Sequence, residues 1–172
     1  PITNAARRPG QPKSRLLTGG NPFAADDVAA QVRAIRAVPL RLHADDPPAV
    51  LEVRGEIYMT NDVFDSINRD RVERDEPLFA NARNVTAGTL KSLDPSVVAQ
   101  RRLCFSAHCR GVVEGLEAPT YSRFIDCIRD MGVPVSPHLR AGEGLDDLLD
   151  HLESFKAQRA GLGYGVDGMV VR

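Results

Sequence analysis

The chain has 172 residues, 42% hydrophobic and 26% charged, an ordinary composition for a globular domain with one sizeable core. Its formal net charge is −1, so the overall composition gives no basic signature for nucleic acid binding. No apolar run approaches the roughly 18 residues of a membrane span. The three cysteines, an odd number, argue against a disulfide framework. We therefore expect a cytoplasmic protein that makes no membrane contact.

The first part of the chain shows no periodic pattern over residues 1–22 and a helical pattern after them. Residues 1–22 hold four Pro, four basic residues and two adjacent Gly without periodicity, which predicts a flexible or degenerate N-terminal segment. From Asp26 onward, Val28, Val32 and Ile35 recur at helical spacing, and Pro39 ends the predicted helix.

The stretch "AVLEVRGEIYM" alternates as a half-buried strand does. One face carries the apolar residues Leu51, Val53, Ile57 and Met59. The other face carries Glu52, Arg54, Glu56 and Tyr58. Two interpretations of the polar face stay open: a solvated face with a cross-strand charge pair, or a ligand site. Gly55 in the strand interior indicates close approach of a ligand or of another backbone.

The rest of the chain mixes helices with one more strand. Helices are predicted over residues 61–71, 121–131 and 145–159, and a short one after Asp94, its predicted cap. In the helix over 145–159, the apolar stripe is Leu145, Leu148, Leu149, Leu152 and Phe155. Near the end of the sequence, the apolar run of residues 169–171 predicts a buried strand. Without a regular βαβ repeat, this order predicts an α+β domain with a mainly antiparallel sheet and flanking helices.

The segment "NARNVTAGTLKSL" is a predicted helix with an unusual composition, rich in small and polar residues that weaken helices. Arg83, Ala87 and Lys91 fall at i, i+4 and i+8, so the two cations share a face about 12 Å apart along the axis. This arrangement suits an anionic ligand lying across the helix. An ordinary solvated helix is the alternative.

The strand "LCFSAHCRG" places Ser106, His108 and Arg110 on one face. His108 next to Cys109 raises the question of zinc, but the chain has no second C-x-x-C or spaced His pair. We therefore expect no metal site here. Taken alone, a histidine in the position of His108 is more often structural than a ligand contact.

Taken in order, "LEVRGEIYM", "FANARNVTAGTLKSLDP", "LCFSAHCRG" and "LGYGVDGMVVR" resemble successive blocks of the adenylation domain of NAD-dependent bacterial DNA ligases. The upstream "DDVAAQVRAIRAVPLRL" is similar to a further block of that family, so the resemblance runs from about Leu17 to the last residue. It implies a nucleotidyltransferase fold, with residues 23–172 forming a truncated or degenerate, partial adenylation domain.

The resemblance also implies a chemistry. In the family, a lysine attacks the adenylyl phosphorus of NAD and expels nicotinamide mononucleotide. The AMP then passes to the 5′-phosphate of a DNA nick, which is sealed with Mg²⁺ assistance in replication and repair.

Several residues of this chain match nucleotide-contacting positions of the family, and we expect them to bind NAD or AMP. Glu56 matches the glutamate of the R-G-E block, and Arg83 matches an arginine near the phosphates. Lys91 matches another basic contact, and His108 matches the position that stacks on adenine. The remaining matches are Arg159, Asp167 and Arg172, the last at a lysine position.

The departures from the family pattern concern catalysis. No lysine in the chain is followed by x-D-G, so the nucleophile motif K-x-D-G is absent. The family's T-R-G-D-G block aligns with "TGGNP", where Gly19 and Asn21 replace an arginine and an aspartate. An arginine cannot act in place of the lysine nucleophile, because its guanidinium stays protonated. Arg172 stands at the family's second lysine, where it replaces a point-charge donor by a planar fork. We therefore expect no intact catalytic residue and weak nucleotide binding.

Three interpretations follow from the resemblance. The chain is a catalytically inactive, truncated or degenerate adenylation domain; or a pseudo-ligase module that binds NAD or AMP; or a half-enzyme whose partner supplies the lysine strand. The family's oligonucleotide-binding fold, zinc module and helix-hairpin-helix repeats are expected to be absent. For that reason, this chain alone is expected to bind nicked DNA poorly and to hold no zinc.

Overall fold

The computed structural model of the chain describes residues 2–7, 16–18 and 28–171. Its strands are β1 (Ile2–Arg7), β2 (Leu16–Thr18), β3 (Val50–Tyr58) and β4 (Cys104–Glu114). Its helices are α1 (Ala29–Arg33), α2 (Asn61–Glu73), α3 (Ala82–Leu90), α4 (Pro95–Gln100), α5 (Tyr121–Asp130) and α6 (Gly144–Gln158), and a 3₁₀ turn follows at Arg159–Gly161. In this part of the chain, no helix combines the length and apolarity needed to cross a bilayer.

The strands form one antiparallel sheet in the order β2-β1-β3-β4. This confirms the predicted mixture of helices with a mainly antiparallel sheet. β1 and β2 lie within residues 1–22, where the sequence analysis predicted a flexible or degenerate segment and assigned no strand. β1 pairs with β3 along its whole length, from Ile2 opposite Gly55 to Arg7 opposite Val50. A strand whose partner is this distant in the chain needs no strong local pattern, because the ladder itself stabilises it.

The predicted alternation of β3 is confirmed. Leu51, Val53 and Ile57 are buried, as is Met59 just beyond the strand, whereas Arg54 and Glu56 are exposed. The apolar face of β3 therefore packs on the core, and its polar face points away from the core.

The core is built by the apolar faces of β3 and β4, by α5 and by the segment around α1, with smaller contributions from α3 and α4. Phe124 and Ile128 of α5 are fully buried, which confirms the predicted apolar face of that helix. Val28, Val32 and Ile35 are also buried as predicted, although regular helix covers only Ala29–Arg33. Asp94 caps α4, accepting a hydrogen bond from the Ser96 amide at 2.8 Å, as its position before Pro95 predicted.

The apolar stripe of α6 has a different environment from that of α5. Leu145 and Leu149 are 66% and 50% exposed, and no residue of α6 is buried. Leu148 and Phe155 line an open cleft instead of the core. The periodic pattern therefore predicted the helix correctly but not what lies against it.

Candidate functional site

An open cleft of about 2300 Å³ is lined by the polar face of β3 and β4, by α3, by α6 and by the segments 134–142 and 164–171. Five of the seven residues that match nucleotide-contacting positions line it: Glu56, Arg83, Lys91, His108 and Asp167. Side chains from three regular elements and one irregular segment therefore converge on one space.

Glu56 and Tyr58 are the members of the β3 polar face that line the cleft, and Glu56 lies opposite Ser106 of β4 in the strand register. Glu52 and Arg54 are engaged elsewhere. The Arg54 Nε donates to Glu52 Oε1 at 3.2 Å, and the Val112 amide donates to Glu52 Oε2 at 3.0 Å. Glu52 and Arg54 form a charge pair within β3 and not the cross-strand pair that was expected, and of the charged residues on this face Glu56 remains for a ligand.

Gly55 brings two strands unusually close. A Cβ atom at this position would lie 2.3 Å from the Phe105 ring and 2.6 Å from the Ser106 carbonyl oxygen. Both distances are far below ordinary van der Waals separation. Of the two interpretations of this glycine, the structure shows close approach of another backbone.

The helix α3 compensates for its weak composition with local hydrogen bonds. The Asn81 side chain caps its start by accepting from the Asn84 amide at 2.8 Å. The buried hydroxyls of Thr86 and Thr89 donate to carbonyls four residues earlier, at 2.8 and 2.7 Å. The side chains of Asn81, Thr86 and Thr89 are thus satisfied by backbone groups of the helix and do not need a ligand to satisfy them.

The cleft-facing side of α3 is the one that the sequence predicted. Arg83, Ala87 and Lys91 all line the cleft. The Arg83 Nη1 lies 3.7 Å from Asp167 Oδ2, and the two side chains are 82% and 99% exposed. Because an exposed ion pair is weak, Arg83 is available to an anion that enters the cleft.

His108 is exposed on β4 and lines the cleft beside Ser106. Its carbonyl oxygen accepts a hydrogen bond from the Tyr121 hydroxyl at 2.6 Å, which ties this part of β4 to α5. Arg110, predicted to share the face, instead donates to the Ala118 carbonyl oxygen at 2.9 Å. Among the described residues, no three His, Cys, Asp or Glu side chains are grouped so as to hold a metal ion.

Of the two remaining expected contacts, Arg159 does not line the cleft. Arg159 Nη2 donates to the Val166 carbonyl oxygen at 2.7 Å, so it supports the segment that carries Asp167. Arg172 lies outside the described residues, as do Gly19 and Asn21 of the "TGGNP" block.

The predicted buried strand over residues 169–171 is wrong. These residues have no strand assignment, and Val170 and Val171 are 80% and 59% exposed. An apolar run becomes a strand only when another strand pairs with it. No strand in the described part of the chain does so here.

An aromatic pair at one edge of the cleft was not predicted as part of the site. The rings of Tyr58 and Tyr164 have centroids 4.8 Å apart and are tilted by 44°. Burial raises the pKa of the Tyr58 hydroxyl, with smaller contributions from Cys104 and Tyr164. Alternation placed Tyr58 on the same face as Glu56, but no local signal indicated that Tyr164 would contact it.

The opposite side of the cleft carries two histidines that the sequence analysis also missed. The His138 and Phe155 rings meet edge to face with centroids 6.4 Å apart. The Nδ1 atom of His151 is buried and has no hydrogen-bond partner within the described chain. No motif marks either residue, since their proximity depends on how α6 lies against the segment 134–142.

Comparison with known proteins gives a consistent result. A family model for the NAD-dependent DNA ligase adenylation domain matches residues 13–172. A DNA ligase of Carboxydothermus hydrogenoformans is 39% identical over 158 residues, covering 92% of this chain and 24% of the relative. DNA ligases of Methylobacterium nodulans and Azotobacter vinelandii are each 40% identical, again over 92% of this chain and over 19% and 20% of the relatives.

The chain thus spans about a fifth to a quarter of the length of these curated relatives. Within that span, the match includes every strand and helix from β2 onward, and with them all the elements that line the cleft. The chain belongs to the NAD-dependent DNA ligase adenylation domain family.

Proposed function

We propose that the cleft binds the adenylyl part of NAD, and that this chain forms the nucleotide-binding portion of an adenylation domain with a nucleotidyltransferase fold. The observation that carries the proposal is the convergence of Glu56, Arg83, Lys91, His108 and Asp167 on one cleft. These residues come from four separate stretches of the chain, so their meeting is a property of the fold.

The side chains present fit the parts of an adenine nucleotide. Arg83 and Lys91 offer cations to phosphate oxygens, Arg as a planar fork and Lys as a point charge. The exposed His108 ring offers a flat surface for stacking on the base. Glu56 offers a carboxylate that accepts hydrogen bonds from hydroxyl or amino groups.

Magnesium fits this cleft only together with a nucleotide. Mg²⁺ is commonly held by one or two carboxylates and by substrate phosphates rather than by an all-protein cage. Glu56 and Asp167 are the acids on the proposed nucleotide side of the cleft. Either carboxylate would suffice for such a shared site.

By itself, the chain is not expected to complete the first step of ligation. A covalent AMP intermediate requires a lysine amine of lowered pKa, and no lysine here lies in a K-x-D-G motif. DNA ligation, the activity in the relatives' names, would therefore need residues outside this sequence, on a longer chain or on a partner. Intact-mass measurement after incubation with NAD and Mg²⁺ should show no addition of AMP.

Calorimetric titration with AMP and with NAD tests the proposal directly. Wild type should bind saturably, and Glu56→Ala should weaken binding at least about tenfold, since hydrogen bonds to a charged group contribute about 1.5–3 kcal/mol. Glu73→Ala is the matched control, because Glu73 is exposed on α2 and does not line the cleft. Equal affinities of the two variants, or no heat from wild type, would contradict the proposal.

A further inference from the structure

The segment from Gly163 to Val171 forms one wall of the cleft without regular secondary structure. Gly163 has a φ of +71°, a left-handed conformation that favours glycine, and it turns the chain out of the 3₁₀ turn. The position of this wall therefore depends on contacts with other elements and not on an internal ladder of hydrogen bonds.

Four contacts hold the wall, and one of them is the hydrogen bond from Arg159 Nη2 to the Val166 carbonyl oxygen. The other three join it to α2, β3 and α3. The Asn61 amide donates to the Gly163 carbonyl oxygen at 2.8 Å. The rings of Tyr58 and Tyr164 pack with centroids 4.8 Å apart. Arg83 approaches Asp167 at 3.7 Å.

These contacts differ in how strongly they fix the position of the wall. The ion pair is almost fully exposed on both sides, so solvent screens it and it cannot fix the wall. The aromatic pair buries ring surface and has a preferred geometry, which makes it the stronger determinant of position. Tyr164 precedes Asp167 by three residues, so the ring pair, together with the hydrogen bond of Arg159 to Val166, restricts where that carboxylate lies.

The other ring of the pair belongs to the strand that presents Glu56. Tyr58 follows Glu56 by two residues, and both lie on the polar face of β3. The ring pair therefore connects the strand that carries one proposed nucleotide contact to the segment that carries another.

We propose that Tyr58 and Tyr164 form an aromatic clasp that positions Asp167 opposite Arg83, and that nucleotide affinity depends on this clasp. The dependence of nucleotide affinity on the clasp rests on the proposed function, whereas the positioning of Asp167 by the clasp does not. Tyr58 and Tyr164 are positioning residues in this scheme, acting through the wall segment. Loss of either ring should release the wall and leave Arg83 without its neighbour.

The test compares Tyr164→Ala, Tyr58→Ala and the double variant, with Tyr164→Phe as the matched control that keeps the ring. Hydrogen exchange followed by mass spectrometry reports, without ligand, on the Asn61 amide, which donates to the Gly163 carbonyl oxygen and loses that bond when the wall is released. Exchange of this amide should rise in all three alanine variants and stay at the wild-type rate in Tyr164→Phe. Amides of the β3–β4 ladder should be unchanged, which separates local release from general unfolding.

AMP titration of the same proteins tests the functional part. Each alanine variant should bind about two- to tenfold more weakly, and the double variant no more weakly than either single one, because one contact is lost in each case. Unchanged exchange of the Asn61 amide in Tyr164→Ala, or additive losses of affinity, would overturn the clasp. If wild type binds no AMP, the proposed function fails, and hydrogen exchange still decides whether the clasp exists.

Discussion

Replacing Gly55 by alanine tests the close approach of β3 and β4 beneath the cleft. The added Cβ would lie 2.3 Å from two ring carbons of Phe105 and 2.6 Å from the Ser106 carbonyl oxygen. Carbon atoms in favourable contact are about 3.5–4.0 Å apart, so the neighbours must move by more than about 1 Å. The Phe105 ring is 7% exposed and belongs to the core, and the Ser106 oxygen is backbone. Neither can simply rotate away.

The free energy of unfolding should therefore fall. Overpacking of this kind costs about 1–3 kcal/mol, and the rigid backbone neighbour favours the upper half of that range. A loss of about 2 kcal/mol reduces the ratio of folded to unfolded protein roughly thirtyfold. Because Glu56 follows directly, the shift of β3 should also weaken AMP binding under conditions where the variant remains folded.

Gly88→Ala provides the matched control for the same chemical change. Gly88 lies inside α3, and a Cβ there would meet no atom within 4 Å. In a helix interior, alanine is favoured over glycine by about 0.5–1 kcal/mol, so this variant should be more stable than wild type. Urea unfolding followed by far-ultraviolet circular dichroism measures both. If Gly55→Ala is as stable as wild type, the two strands are not packed as the structure shows.

The remaining predictions concern three other sites. Because burial raises the pKa of Tyr58, the stability that its neutral hydroxyl contributes should be present below pH 10.0, the ordinary pKa, and lost as the pH rises through the higher pKa of the folded state. Unfolding of wild type and Tyr58→Phe at pH 9 and pH 11 checks this. A difference in unfolding free energy between the two proteins that is the same at both pH values would contradict it. Glu52→Ala should cost about 1 kcal/mol by removing the acceptor for the Val112 amide, and Glu52→Gln less; equal losses would count against that hydrogen bond. Phe124→Ala should cost about 3–5 kcal/mol because that ring is fully buried, whereas Leu149→Ala on half-exposed α6 should cost far less; similar losses would show that α6 is packed.

Local sequence patterns correctly predicted those elements in which one face is apolar and packs on the core. The alternation in β3 and the helical spacing in α5 each predicted which residues are buried, because one face of each element packs on the core. The face formed by Arg83, Ala87 and Lys91 was also predicted correctly, since helical geometry alone places these residues together.

Features that depend on distant pairing were not predictable in this way. The N-terminal strands depend on β3, whose residues lie more than 40 positions along the sequence from their partners in β1. The apolar run at residues 169–171 gave a strand pattern, yet in the described chain it finds no strand to pair with. The contact between Tyr58 and Tyr164 joins segments more than 100 residues apart, which no periodicity can report.

The charges along the cleft restrict where a nucleotide can place its phosphates. The α3 side presents Arg83 and Lys91, whereas the α6 side presents Asp147 and Asp150. Glu56, Asp167 and Arg140 also line the cleft, so three cations face four carboxylates and the formal charge of −1 creates no net field that attracts a polyanion. Attraction must then be local, and Arg83 and Lys91 are the two cations that share one helix face. In the proposed function, the phosphates therefore lie along α3, because on the α6 side two carboxylates outnumber Arg140.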